Sequence, residues 1–152
     1  MKHFFLIIGL AFASIAINAQ TVKYESQRPA PEERLFVSQA VEDKIDEVTA
    51  LLTNDKLRWM FANCFPNTLD TTVHPVGEYD TFVYTGDIAA MWLRDSGAQV
   101  WPYLSMVNED EALRRLIAGV ILRQVRCICL DPSAYARNKE PDKEGYRKRD
   151  IT

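Results

Sequence analysis

Between Asn108 and Pro132, the residues Leu113, Leu116, Ile117, Val120, Ile121 and Ile128 fall on one face of a helix. No other pattern in the chain restricts the fold as strongly. A helix with one apolar stripe is stable only when that stripe is covered by other elements. Asn108 followed by Glu111 makes a capping-box start. Arg114, Arg115 and Arg126 lie outside the stripe, and Asp131-Pro132 ends the helix.

Helical periodicity recurs earlier. Ser38 can cap a helix whose apolar positions Val41, Ile45, Val48 and Leu52 are spaced four, three and four apart, with Glu42, Asp43, Lys44 and Glu47 outside. Asn54 or Asp55 can open a second helix carrying Leu57, Trp59, Met60 and Phe61, which Pro66 stops. The stretch 67–77 is polar with Pro75 and Gly77 and reads as a loop. The β-branched and aromatic run 81–85 reads as a short strand. Asp95 or Ser96 can cap a further helix reaching about Met106, with a kink at Pro102. Periodicity alone therefore supports a mostly α chain.

The 152 residues suit one domain, 47% of them hydrophobic and 26% charged. A net charge of −3 supplies no electrostatic footprint for nucleic acid. Residues 1–19 differ from the rest. Lys2 and His3 precede an apolar run from Phe4 to Ile17, and Ala19 precedes a plausible cut that leaves Gln20 as the mature N-terminus. This is the pattern of a secretory signal peptide, too short to span a membrane comfortably, and no cysteine follows it for lipid attachment. The expectation is export, to the periplasm or outside the cell, with no membrane attachment after cleavage. Residues 20–34, with Pro29, Pro31 and Glu32-Glu33, read as an extended leader before the domain, 35–152. Of the three cysteines, Cys127 falls on the apolar stripe and Cys129 near the opposite flank, and Cys64 is distant. That is poor zinc spacing, so no metal is expected.

The segment 85–96, T-G-D-I-A-A-M-W-L-R-D-S, concentrates the chemistry. Asp87, Trp92, Arg94 and Asp95 place two carboxylates, a guanidinium and an indole within nine positions. Carboxylate and guanidinium groups bind vicinal hydroxyls bidentately, and an indole offers a flat apolar face to a pyranose. Arg94 and Asp95 read equally as a helix-start ion pair, and Trp92 as core. His74, in the polar stretch, reads as a solvent-exposed loop histidine, with contact to a sugar as the alternative.

This segment resembles glycoside hydrolase family 125, the metal-independent exo-acting α-mannosidases that favour α-1,6 linkages. So do N-C-F-P-N-T-L-D-T-T-V at 63–73, D-T-F-V-Y-T-G-D at 80–87, A-Q-V-W-P-Y-L at 98–104 and L-I-A-G-V-I-L-R-Q-V-R-C-I-C-L-D-P at 116–132. The resemblance implies part of an (α/α)6 six-hairpin barrel, no cofactor, a mannose-containing glycan as partner, and Asp87, Trp92, Arg94 and Asp95 as walls of the subsite gripping the terminal mannose. It also implies an inverting mechanism with an Asp acid and a Glu base. An inverting site holds its two carboxyls about 6.5–9.5 Å apart to admit water. No residue here matches either family motif, so no catalytic residue is assigned.

Members of that family run on well beyond this length, so the resemblance implies a truncated piece whose apolar helix faces await later partners. At 131–137 the chain reads D-P-S-A-Y-A-R where the family reads D-P-Y-A-N-A-F. Tyr135 replaces an expected Asn contact, and Arg137 in place of an aromatic should weaken local packing. The charged tail from Arg137 to Asp150 reads as a solvated loop or disordered end. The leading expectation is an exported exo-α-1,6-mannosidase fragment, inactive by itself. Its alternatives are a non-catalytic carbohydrate-binding remnant and a truncated product without function.

Overall fold

The computed structural model describes residues 24–85, 90–134 and 136–139. The signal-like segment, Asp87, Tyr135 and the charged tail beyond Lys139 lie outside the described residues. Five helices dominate: α1 (Gln39–Leu51), α2 (Asp55–Cys64), α3 (Asn67–Thr71), α4 (Leu93–Val100) and α5 (Glu111–Leu130). Four short strands accompany them: β1 (Val73–Gly77), β2 (Asp80–Val83), β3 (Met91–Trp92) and β4 (Ala136–Arg137). The chain is mostly α, as its periodicity requires. None of the described helices is long and apolar enough to cross a membrane.

Helix starts follow local chemistry. Ser38 caps α1 by accepting from the Val41 amide, and Asn54 caps α2 by accepting from the Leu57 amide at 3.1 Å. Helix α5 is capped by Asp110, whose Oδ1 accepts from the Leu113 amide at 3.0 Å, and not by Asn108. Ser38 Oγ donates to Asp110 Oδ2 at 2.6 Å, so the caps of α1 and α5 share one hydrogen bond. That bond ties together the starts of two helices whose caps lie 72 residues apart.

The core gathers Val41, Ile45, Leu69, Val73, Phe82, Val83, Met91, Val100, Tyr103, Met106, Leu113, Leu116, Ile117 and Val120. Burying each α5 side chain in this set contributes about 1.5–3 kcal/mol. The α5 stripe is therefore largely covered within this chain, against β2 and α4, which corrects the expectation that Leu116, Ile117 and Val120 await later partners. Ile121 and Ile128 are exposed. The buried stripe is narrower than the periodicity suggests and runs through Gly119. A Cβ at Gly119 would meet Thr81 Oγ1 at 2.6 Å and the Asp80 and Thr81 amide nitrogens at 3.0 Å, so only glycine lets the hairpin lie on the helix. Tyr103 is buried and its hydroxyl donates to the Phe65 carbonyl at 2.5 Å; burial pushes its pKa up to about 12.

The polar stretch 67–77 is not a loop. It forms α3 and then β1, which pairs antiparallel with β2 in the register Val73↔Val83, His74↔Phe82 and Pro75↔Thr81, with a bulge between Pro75 and Gly77. Pro75 has no N–H to give the ladder, and the break in register follows it. Past Val100 the chain tightens into a 3-10 helix, Trp101–Met106, with Pro102 in its first turn.

The leader is tied down, not merely extended. It makes a 3-10 turn at Pro31–Glu33, and the Leu35 and Phe36 amides donate to the Asp70 and Leu69 carbonyls at 3.0 and 3.1 Å. Arg28 forks onto Asp70 (2.8 and 3.1 Å) and Glu42 (2.9 and 2.5 Å). Hydrogen bonding to Arg28 is what chiefly holds the Glu42 carboxyl below its ordinary range.

Candidate functional site

The signature opens where β2 ends. The Thr85 amide donates to the Ala90 carbonyl at 3.2 Å, joining the residues on either side of 86–89. Asp87 lies within that span, outside the described residues. Met91 and Trp92 then form β3 and pair with Arg137 and Ala136 of β4. Trp92 is half-buried and occupies the N-cap position of α4, so the helix starts earlier than an Asp95 or Ser96 cap predicts. Ser96 is buried instead, and its hydroxyl donates to the Trp92 carbonyl at 2.6 Å. Gln124 of α5 donates to the Leu93 carbonyl at 3.0 Å and to Ser96 Oγ at 2.8 Å. Two elements thus fix the first turn of α4.

Arg94 and Asp95 sit on that turn. The Arg94 side chain is 91% exposed and Asp95 36%, and their closest charged approach is 3.7 Å. An ion pair that loose and open contributes about 0–1 kcal/mol, so it does little to hold the fold. Asp95 also lies in the first helical turn, where the helix dipole favours a negative charge. The pair presents donors and an acceptor to solvent from a rigidly placed backbone, which suits hydroxyl binding. Proton donation asks for something different, a carboxyl pushed upward. Asp80 moves the other way: burial pushes it up but is outweighed by Arg123 and Arg126. In Asp110, burial is likewise outweighed, here by hydrogen bonds from Ser38 and backbone amides.

His74 is not a solvent-exposed loop residue. It stands on β1, half-buried, with its ring centroid 4.3 Å from that of Tyr84. Burial, then the nearby Lys139 charge, lower its pKa, keeping the ring neutral further into the acid range. Gln99, one turn beyond Asp95, donates from Nε2 to the Tyr84 carbonyl at 3.0 Å. Neither Gln99 nor Thr85 was singled out by sequence reasoning. The position of Gln99 four residues after Asp95 is the signal that could have found it.

Arg137 also corrects its expectation. Its side chain is mostly buried, donates to the Asp131 and Cys127 carbonyls at 3.1 and 3.5 Å, and so closes the C-terminus of α5. A guanidinium there places positive charge at the negative end of the helix, where an aromatic ring could only pack. Among the described residues the three cysteines are free, Cys64 and Cys129 exposed and Cys127 buried, and no His, Cys, Asp or Glu cluster could hold a metal.

The family model for metal-independent alpha-mannosidase (GH125) matches residues 54–151. The meiotically up-regulated gene 157 protein of Schizosaccharomyces pombe is 40% identical over 124 residues, covering 79% of this chain and 24% of that protein. A Streptococcus pneumoniae metal-independent α-mannosidase, solved in a non-productive complex with α-1,6-mannobiose, matches with a TM-score of 0.64 at 41% identity, covering 70% of this chain and 25% of that one. The chain spans about a quarter of the length of these relatives. With the family model covering well over half its residues, the chain belongs to the metal-independent α-mannosidases of glycoside hydrolase family 125.

Proposed function

We propose that this chain carries the mannose-gripping part of an exported, inverting exo-α-1,6-mannosidase. Asp87, Trp92, Arg94 and Asp95 line the subsite for the terminal sugar, within what is part of an (α/α)6 barrel. The observation that carries this reading is the open Arg94–Asp95 pair on an otherwise locked helix start. Arg94 offers a planar fork of donors and Asp95 accepts from adjacent hydroxyls, a combination that reads the stereochemistry of a sugar. Trp92 supplies the apolar wall. The resemblance puts the acid and base in family segments that these residues do not match, so the role assigned to these residues is binding and not proton transfer. Residues 1–19 direct export, and sequencing of the exported protein should begin at Gln20.

The test is a titration of the protein with α-1,6-mannobiose by saturation-transfer NMR, with released mannose assayed in parallel. Binding without release is expected. Arg94→Ala and Asp95→Ala should each weaken binding about 10–100-fold, since a hydrogen bond to a charged group is worth about 1.5–3 kcal/mol. No binding by the unsubstituted protein would sink the proposal. Mannose release that is lost on Asp87→Asn would instead put catalysis inside the signature.

A further inference from the structure

Helix α5 carries two apolar stripes, and the core covers only one of them. The second is made of Ala118, Ile121, Leu122, Val125, Ile128 and Cys129, about 140° around the helix from the buried row. Ile121 is 52% exposed, Leu122 43%, Val125 49% and Ile128 48%, and Cys129 is exposed with them. The six residues repeat at intervals of seven: 118 with 125, 121 with 128, and 122 with 129. That interval is the one by which a helix keeps a seam turned toward a second helix. A helix that is apolar on opposite faces is stable when both are covered. The outer stripe therefore fits a helix.

Size and charge along the seam point to which helix. With α5 laid antiparallel on a copy of itself and Ala118 set opposite Ile128, the same register sets Ile121 opposite Val125 and Arg115 opposite Asp131. Small meets large at each end, medium meets medium in the middle, and opposite charges close both ends. Arg115 is 44% exposed and Asp131 41%, and each now holds only a loose partner: Arg115 reaches Glu111 at 3.5 Å, and Asp131 is reached by Arg137 at 3.6 Å. Antiparallel packing also sets the two helix dipoles in opposition. A parallel pair would put Arg115 against Arg115 and Asp131 against Asp131. We propose that the outer stripe of α5 docks on the same stripe of a second copy of this chain, antiparallel about a two-fold axis. Covering the stripe on both copies removes on the order of 1,000 Å² from water, the lower limit for a specific interface, so the dimer is a reversible one.

Sedimentation velocity of the full chain across the micromolar range should show a monomer–dimer equilibrium. Val125→Glu sets two carboxylates in the middle of the seam and should weaken the dimer about 100-fold. Its position is exposed, so the melting temperature of the monomer should hold. Arg115→Asp faces the partner's Asp131 and should weaken association about tenfold, and adding Asp131→Arg should restore it. Orientation is read by Ala118→Cys in a Cys64→Ser background, treated with a short bis-maleimide. The expected cross-link joins position 118 of one copy to the partner's Cys129. A chain that stays monomeric at every concentration would overturn the proposal. So would a dimer that Val125→Glu leaves intact, or one whose cross-links join only like positions.

Discussion

Among the described residues, three of the arginine–aspartate pairs have the same chemistry and opposite fates. Arg28 forks onto Asp70, which is only 2% exposed, and Arg123 forks onto Asp80 at 2.5 and 2.9 Å while its guanidinium lies 5.3 Å from the Phe82 ring centroid. Arg94 and Asp95 are neighbours in sequence yet approach only to 3.7 Å in the open. The first two pairs join distant segments: the leader to α1 and α3, and the hairpin to α5. Their hydrogen-bonding capacity is consumed by the fold. Adjacent residues on a helix are splayed by about 100°, so Arg94 and Asp95 meet only loosely, at 3.7 Å, and their hydrogen-bonding capacity is not consumed by each other. Residue type alone does not separate structural from binding pairs; sequence separation and burial do.

The comparison breaks most visibly at Asp70. Asp70→Ala leaves the Arg28 guanidinium, only 10% exposed, with Glu42 as its remaining partner, and should cost about 3 kcal/mol in urea unfolding. A loss under about 1 kcal/mol would place this pair with the open one. Gly119→Ala tests the hairpin contact beneath Asp80. Overpacking against Thr81 should cost about 1–3 kcal/mol despite the helix preference for alanine, and a stabilised variant would show that the hairpin moves aside freely.

Acid titration separates His74 from the buried pairs. His74 titrates from 6.5 in the unfolded chain and lower in the folded one, so the unfolded state takes up its proton first. Stability should therefore fall as pH drops below 6.5, and be level above it. Glu42 and Asp80 act in a lower window: their contribution is present above their ordinary values of 4.5 and 3.8 and is lost as pH falls through the depressed ones. Melting temperature against pH for His74→Phe should lack the upper slope and keep the lower one. An unchanged upper slope would remove His74 from its buried setting. The smallest stability effect belongs to the open pair. Arg94→Ala and Asp95→Ala should each shift stability by less than about 0.5 kcal/mol, and a sharply lowered melting temperature would assign them to the fold.

Much of the helix plan was legible because it is local. The α1 stripe through Val41 and Ile45, the Ser38 and Asn54 caps and the inward Cys127 all follow from spacing and side-chain type. The misreadings share a cause. Asn67–Thr71 is helical although its composition is polar, because Leu69 and Asp70 are held by the leader arriving from some 35 residues earlier. Arg137 looks like a packing defect in the letters because the Cys127 and Asp131 carbonyls it serves are not visible there.

By itself the sequence determined the helical periods, the family to which the chain belongs and the chemical kinds of group in the signature, since each depends on residue identity at short range. Tertiary structure decided which of those groups are free. Whether an Asp is locked by Arg123 or left open beside Arg94, and whether His74 is in water or against Tyr84, both depend on contacts between distant segments. Such contacts exist only once the hairpin, α4 and α5 have closed on one another, because burial and desolvation are properties of the packed chain and not of any residue within it.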